Sequence, residues 1–148
     1  MKNLLIALAL FAALCINADA RNPRRALNRT TWAAPVVMNV RDTAAVSPDV
    51  NYILVLEFGP NGQVLAQYYE TRSEFHIGAV PRGGLYPLKY KIRQVHNDGS
   101  MDIKLKGKIH DVSSAVFKTT PKRWIFSAAG NVNGDEMDCG LGSFKRID

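Results

Sequence analysis

Cysteine is nearly missing from this chain: there are two in 148 residues, Cys15 and Cys139, and Cys15 falls in an apolar leader. Once the leader is removed, Cys139 has no intrachain partner, which excludes a disulfide-stapled miniprotein and leaves stability to a hydrophobic core. In an oxidising compartment a solitary thiol would form an intermolecular disulfide, stay reactive, or be buried as a small hydrophobe. Helical periodicity is missing too. No stretch of helical length repeats its apolar residues every 3.6 positions, so helix content is expected near zero beyond the leader. Nor does any later segment approach the roughly 20 apolar residues of a membrane helix. The three histidines, His76, His96 and His110, lie in separate elements. None forms an H-x-x-x-H or C-x-x-C pattern, so no metal site is expected and no cofactor is implied.

The first twenty residues read as an address. Lys2 supplies a short positive start, Leu4 to Ile16 an apolar run too short to span a bilayer, and Ala18-Asp19-Ala20 a small-residue cleavage signal. A signal peptide over 1–20, cleaved after Ala20, predicts a secreted or periplasmic protein. Bulky Leu14 argues against lipid attachment at Cys15. Cleavage removes one cation, Lys2, and one acid, Asp19, so the net charge of +6 is unchanged. That balance favours contact with anionic surfaces and says nothing about fold. Residues 21–31, with Arg21, Arg24, Arg25 and Arg29 clustered around Pro23, read as a flexible basic arm. Asn28-Arg29-Thr30 within it matches a glycosylation acceptor.

Residues 32–148 are of single-domain size and read as strands and turns. Short strands are expected at Pro35–Val40, Ser73–Val80, Val112–Lys118 and Lys122–Ala128, with loops at Pro81–Gly84 and Gly130–Gly142 and a terminal strand around Phe144. Val50–Phe58 is apolar on both faces, which predicts a strand covered on both sides. Gly59-Pro60-Asn61-Gly62 turns it into a partner, Gln63–Thr71. The fold class is therefore all-β, a single antiparallel sandwich or small barrel of about seven to nine strands.

One predicted hairpin carries the functional signal. Tyr86, Leu88, Tyr90 and Ile92 alternate with Lys89, Lys91 and Arg93; after Asn97-Asp98-Gly99-Ser100, Met101, Ile103, Leu105 and Ile109 alternate with Lys104, Lys106 and Lys108. A two-residue Asp98-Gly99 turn predicts rungs Arg93–Lys104, Lys91–Lys106 and Lys89–Lys108, with six cations and no acid on the outer face. Like charges directly opposite in a sheet destabilise it, which points to an anionic partner. The competing explanation is an edge hairpin whose lysines discourage strand-to-strand aggregation. Tyr86 and Tyr90 point inward, so the stacking platform of a single-strand nucleic-acid binder is missing, and sequence-specific nucleic-acid recognition is not expected.

Asn131, Asn133, Asp135 and Asp138 start with calcium-loop spacing, but Glu136 and Gly142 break the pattern. Cys139 lacks a neighbouring base in sequence, and Asp138 beside it would raise its pKa. These residues point to a secreted or periplasmic, non-enzymatic binding protein. The 85–110 hairpin, through Lys89, Lys91, Arg93, Lys104, Lys106 and Lys108, would engage an anionic glycan, an envelope polymer or an acidic protein. Two alternatives stand beside it. One is a small barrel carrying an apolar ligand between Tyr52, Leu56, Tyr86, Tyr90 and Trp124; the other is a thiol enzyme using Cys139.

Overall fold

The computed structural model describes residues 23–36, 50–72, 79–112 and 123–148. After a short helix, α1 (Pro23–Leu27), come β1 (Thr31–Pro35), β2 (Asn51–Phe58), β3 (Gln63–Thr71), β4 (Val80–Val95), β5 (Met101–His110), β6 (Arg123–Asn133), β7 (Glu136–Cys139) and β8 (Gly142–Arg146). Each strand pairs antiparallel with the next, and β8 returns to β1, so the eight strands form a closed barrel. Closure rests on Trp32 opposite Arg146 and Ala33 opposite Lys145. The Ile147 N–H adds a bond of 2.9 Å to the Thr31 carbonyl. Of the two all-β architectures the sequence allows, this is the barrel.

An eight-stranded barrel has an interior just wide enough for side chains to fill. Trp32, Leu54, Leu56, Phe58, Val64, Leu88, Ile103, Leu105, Met137 and Phe144 are all buried in one cluster. Tyr52, Tyr86 and Tyr90 join it, so four of the five residues that would line a carrier's cavity are packed together; the Trp124 side chain lies outside the described ones. The Phe58 and Tyr90 rings meet edge-on at 5.0 Å. The Tyr68 hydroxyl donates to the His110 carbonyl at 2.8 Å, and burial pushes its pKa up. On the outer face of β2, Ile53 and Val55 are buried with Ala33, against half-buried Tyr69. Side chains on both faces of this strand are thus buried, as its two apolar faces predict.

Part of the basic arm is helical. Residues 23–27 are helical, Pro23 starting the helix rather than preventing one, and Leu27 is buried in the core. Pro is tolerated in a first helical turn because its missing N–H would have no partner there. The Thr30 hydroxyl donates to the Leu27 carbonyl and accepts from Trp32 Nε1 at 2.8 Å, tying α1 to the barrel. The Asn28–Thr30 tripeptide is thus part of this closure, with Asn28 half-buried and its Oδ1 without a hydrogen-bond partner.

Strand boundaries need correction elsewhere. The first strand begins at Thr31, not Pro35, and residues 37–40 lie outside the described ones. Val80 opens β4, and the expected Pro81–Gly84 loop lies inside that strand. There the register jumps from Ala66 opposite Tyr86 to Tyr68 opposite Arg82, so Gly83, Gly84 and Leu85 stand against Gln67 as a bulge. Gly83 has φ +72°, a conformation few other residues take, and bulges of this kind re-aim the side chains beside them. Residues 73–78 and 113–118 of two expected strands lie outside the described residues. The expected Gly130–Gly142 loop is instead the end of β6, a turn at Gly134-Asp135, β7, and a turn at Gly140-Leu141.

The β2–β3 turn has both Asn61 (φ +59°) and Gly62 (φ +76°) in the left-handed region. A Cβ at Gly62 would stand 2.9 Å from the Tyr90 carbonyl oxygen. Gly62→Ala is therefore expected to cost about 2–3 kcal/mol, from the left-handed backbone and the clash together. An unchanged urea midpoint would show that the turn yields freely.

Candidate anion-binding groove

The cationic hairpin folds with its predicted facing and a different register. Lys91 opposes Lys104 and Lys89 opposes Lys106, each two positions from the predicted partner. Two single-residue shifts account for this. The turn has three residues rather than two: the His96 N–H bonds the Ser100 carbonyl, and the Gly99 N–H bonds the His96 carbonyl. Asp98 Oδ1 accepts from both the backbone N–H and the hydroxyl of Ser100, at 2.9 and 2.7 Å. A two-residue turn of the Asp-Gly type needs positive φ at both residues, but among the described residues only Gly99 supplies it here. The second shift is a bulge at Arg93, between the Ile92–Ile103 and Gln94–Asp102 pairs. One shift would have turned the lysines inward; two restore the phase.

Lys89, Lys91, Arg93, Lys106 and Lys108 are exposed and Lys104 is half-exposed, while Leu88, Tyr90, Ile103, Leu105 and Ile109 are buried behind them. Strands lie about 4.8 Å apart, and alternate residues along a strand about 6.7 Å, so the cations form a dense two-dimensional array. The end of α1 adds to it. Arg24 joins Lys89, Lys91, Arg93, Lys104 and Lys106 around one groove of about 450 Å³, which Asn61, Gly62, Pro87, Tyr90 and Gly107 also line. No carboxylate lines it. Among the described residues none of these six cations is in a salt bridge. Arg82, by contrast, pairs with Glu70 at 2.6 Å. Lys108 lies outside the groove lining, opposite Ile125 in register.

The groove depends on neighbours distant in sequence. Leu27, three residues after Arg24, anchors the helix in the core and so carries Arg24 to the β4 strand. Burial pushes the Tyr90 phenol up, and the nearby Arg24 charge opposes that shift. Gly107 takes the inward position between Leu105 and Ile109, where a Cβ would clash with Leu88 Cδ2.

The expectation of an acid-free outer face is corrected by Asp102, which alternates with buried Met101 and Ile103 and so shares the side of the lysines. It lies toward the hairpin tip, outside the groove. Asn131 Nδ2 donates to its Oδ1 and His96 Nε2 meets its Oδ2, both at 2.9 Å. The bond from Asn131, followed by that from His96, holds its carboxyl below the usual range. Asp102, Asp138, Arg93 and Lys104 border a separate shallow depression of about 580 Å³. The array thus changes sign at its tip end.

Edge protection does not account for these lysines. Lys89 lies between Gln63 and Lys106, Lys106 between Lys89 and Ser127, and Lys104 between Lys91 and Ala129. Each stands in a strand paired on both sides, where no aggregation edge exists.

The remaining candidates are dispersed. His76 lies outside the described residues, His96 sits at the hairpin tip, and His110 packs on Tyr86 at the far end of β5, ring centroids 5.3 Å apart. Among the described residues no three His, Cys, Asp or Glu side chains converge as metal ligands. The calcium-like spacing falls on a hairpin, Asn131 facing Asp138 across it. Cys139 is half-buried opposite Gly130, which opposes Ile103. His110 is seven residues further along β5, roughly 23 Å away, so it does not serve as the thiol's base. Burial, the largest influence, also pushes the Cys139 thiol up, against activation.

Searches of family models, curated proteins and solved structures return no match to this chain.

Proposed function

We propose that the protein is a secreted or periplasmic, non-enzymatic binding protein whose cationic groove engages an anionic glycan, an envelope polymer or an acidic protein. One observation carries this reading: six cations from α1, β4 and β5 line a single groove with no carboxylate among them. Two rungs of this array place lysine directly opposite lysine, an arrangement that costs stability in the free protein. An anion of matching spacing offsets that cost on binding. The apolar leader with its Ala18-Asp19-Ala20 signal supports the compartment.

The test is the salt dependence of binding to heparin, a linear sulfated glycan. Neutralising about six anionic groups releases their counterions, so affinity is expected to fall about 10³-fold between 50 and 200 mM salt. Weak or salt-independent binding to heparin and to an acidic-protein column would reject the groove as an anion site.

A further inference from the structure

The outer face of β4 is divided along its length. Tyr86, Leu88 and Tyr90 are buried, so Leu85, Pro87, Lys89 and Lys91 form one outward row: two apolar residues, then two cations. Leu65 of β3 stands opposite Pro87, one rung from the Gln63–Lys89 pair that begins the cationic array. Leu65 is 41% exposed and Leu85 59% exposed, the latter the most exposed large hydrophobic among the described residues. The three-residue bulge explains why Leu85 protrudes: it precedes Leu85 with two glycines, and a Cβ at Gly84 would meet nothing within 4 Å.

A sulfated glycan has no hydrocarbon phase to take up this row. An anionic lipid surface presents both chemistries in the same order, charged phosphates at the headgroup level and hydrocarbon below. Leu85 and Lys89 are four residues apart, about 13 Å along the strand. With the outer face laid on the surface that separation is lateral: the protruding Leu85 dips toward the acyl boundary, about 5–10 Å beneath the phosphates, while Lys89 and Lys91 stay at headgroup level. Resting on the anion-binding reading above, we propose that the groove docks on an anionic lipid surface, with Lys89, Lys91, Lys106 and Arg24 on phosphates and Leu85 in the acyl boundary, while Leu65, with Glu57 opposite it in register, stays at the headgroup level.

The test compares co-sedimentation of the purified protein with vesicles of phosphatidylglycerol and phosphatidylcholine in equal parts, with pure phosphatidylcholine vesicles, and with heparin-coated beads. The parent is expected to bind the anionic vesicles and not the neutral ones. Leu85→Ser should weaken vesicle binding about tenfold, the contribution of one partly buried leucine, and Leu65→Ser less. Neither variant should change heparin retention, and both positions are exposed, so unfolding curves should match the parent. Equal vesicle affinity of Leu85→Ser and parent would overturn the lipid assignment while leaving the anion site intact. So would heparin retention without vesicle binding, which favours a glycan. If vesicles, heparin and the acidic-protein column all fail to bind, the anion site itself falls.

Discussion

Glutamate at both Lys91 and Lys106 is expected to abolish retention on an anionic matrix. The two residues stand on different rungs, Lys91 opposite Lys104 and Lys106 opposite Lys89. Reversal changes the groove by four charge units. At about 1 kcal/mol per charge near an anionic surface, affinity should drop about 10³-fold. The same substitutions turn two lysine–lysine rungs into lysine–glutamate rungs, each favourable by about 0.2–1 kcal/mol. The variant should therefore unfold at the same or a slightly higher urea concentration while losing its ligand. That opposite movement separates a binding role from a structural one. Elution at the parent's salt concentration would remove the groove from the mechanism, and a lowered urea midpoint would show that the rungs are not strained as the register implies.

The largest stability effect is expected from Trp32→Ala, at about 3–5 kcal/mol against a total of 5–15 for a domain of ordinary stability. Trp32 is 1% exposed and sits at the seam, opposite Leu56 on β2 and Arg146 on β8. Its Nε1 donates to Thr30 Oγ1, the atom that also bonds the Leu27 carbonyl. Removing the indole leaves a cavity at the thinnest pairing of the barrel and loosens α1 together with its Arg24. Urea unfolding followed by far-ultraviolet circular dichroism measures the loss. A change below about 1 kcal/mol would show that closure does not depend on this side chain. Heparin affinity of the folded variant should also weaken, since Arg24 reaches the groove through the anchored helix.

Much of the architecture was readable where one face of a strand is buried. Val50–Phe58, apolar on both faces, and Gln63–Thr71, which alternates, coincide with β2 and β3 to within a residue. The cationic and apolar sets of β4 and β5 separate as their alternation implies. Errors fell where composition and pairing disagree. Pro81-Arg82-Gly83-Gly84 has the composition of a loop, yet pairing with Tyr68, Tyr69 and Glu70 keeps Val80, Pro81 and Arg82 extended and absorbs the glycines as a bulge. The Asn/Gly/Asp-rich tail reads as irregular because its strands are four and five residues long and joined by two-residue turns. Asp102 is hard to read from sequence as an outward residue because the lysines after it dominate the pattern. Arg24 was legible as a basic residue, but its position was not. Only the apolar Leu27 at a one-turn spacing hinted that the arm would pack.

Residue order by itself determined the phase of β2, β3, β5 and the cationic stretch of β4, because a period of two leaves every side chain only one of two faces. It likewise settled that greasy residues fill the interior while lysines crowd the outside of one hairpin. Pairing partners came from tertiary structure alone. Whether Lys91 meets Lys104 or Lys106 turned on an Asp98–Ser100 hydrogen bond and a bulge at Arg93, neither of which the apolar alternation encodes. Closure turned on Trp32 and Ala33 finding Arg146 and Lys145 across more than a hundred residues of chain, a contact no local pattern encodes. That same closure removed the edge that would have explained the lysines, and it brought Arg24 beside them.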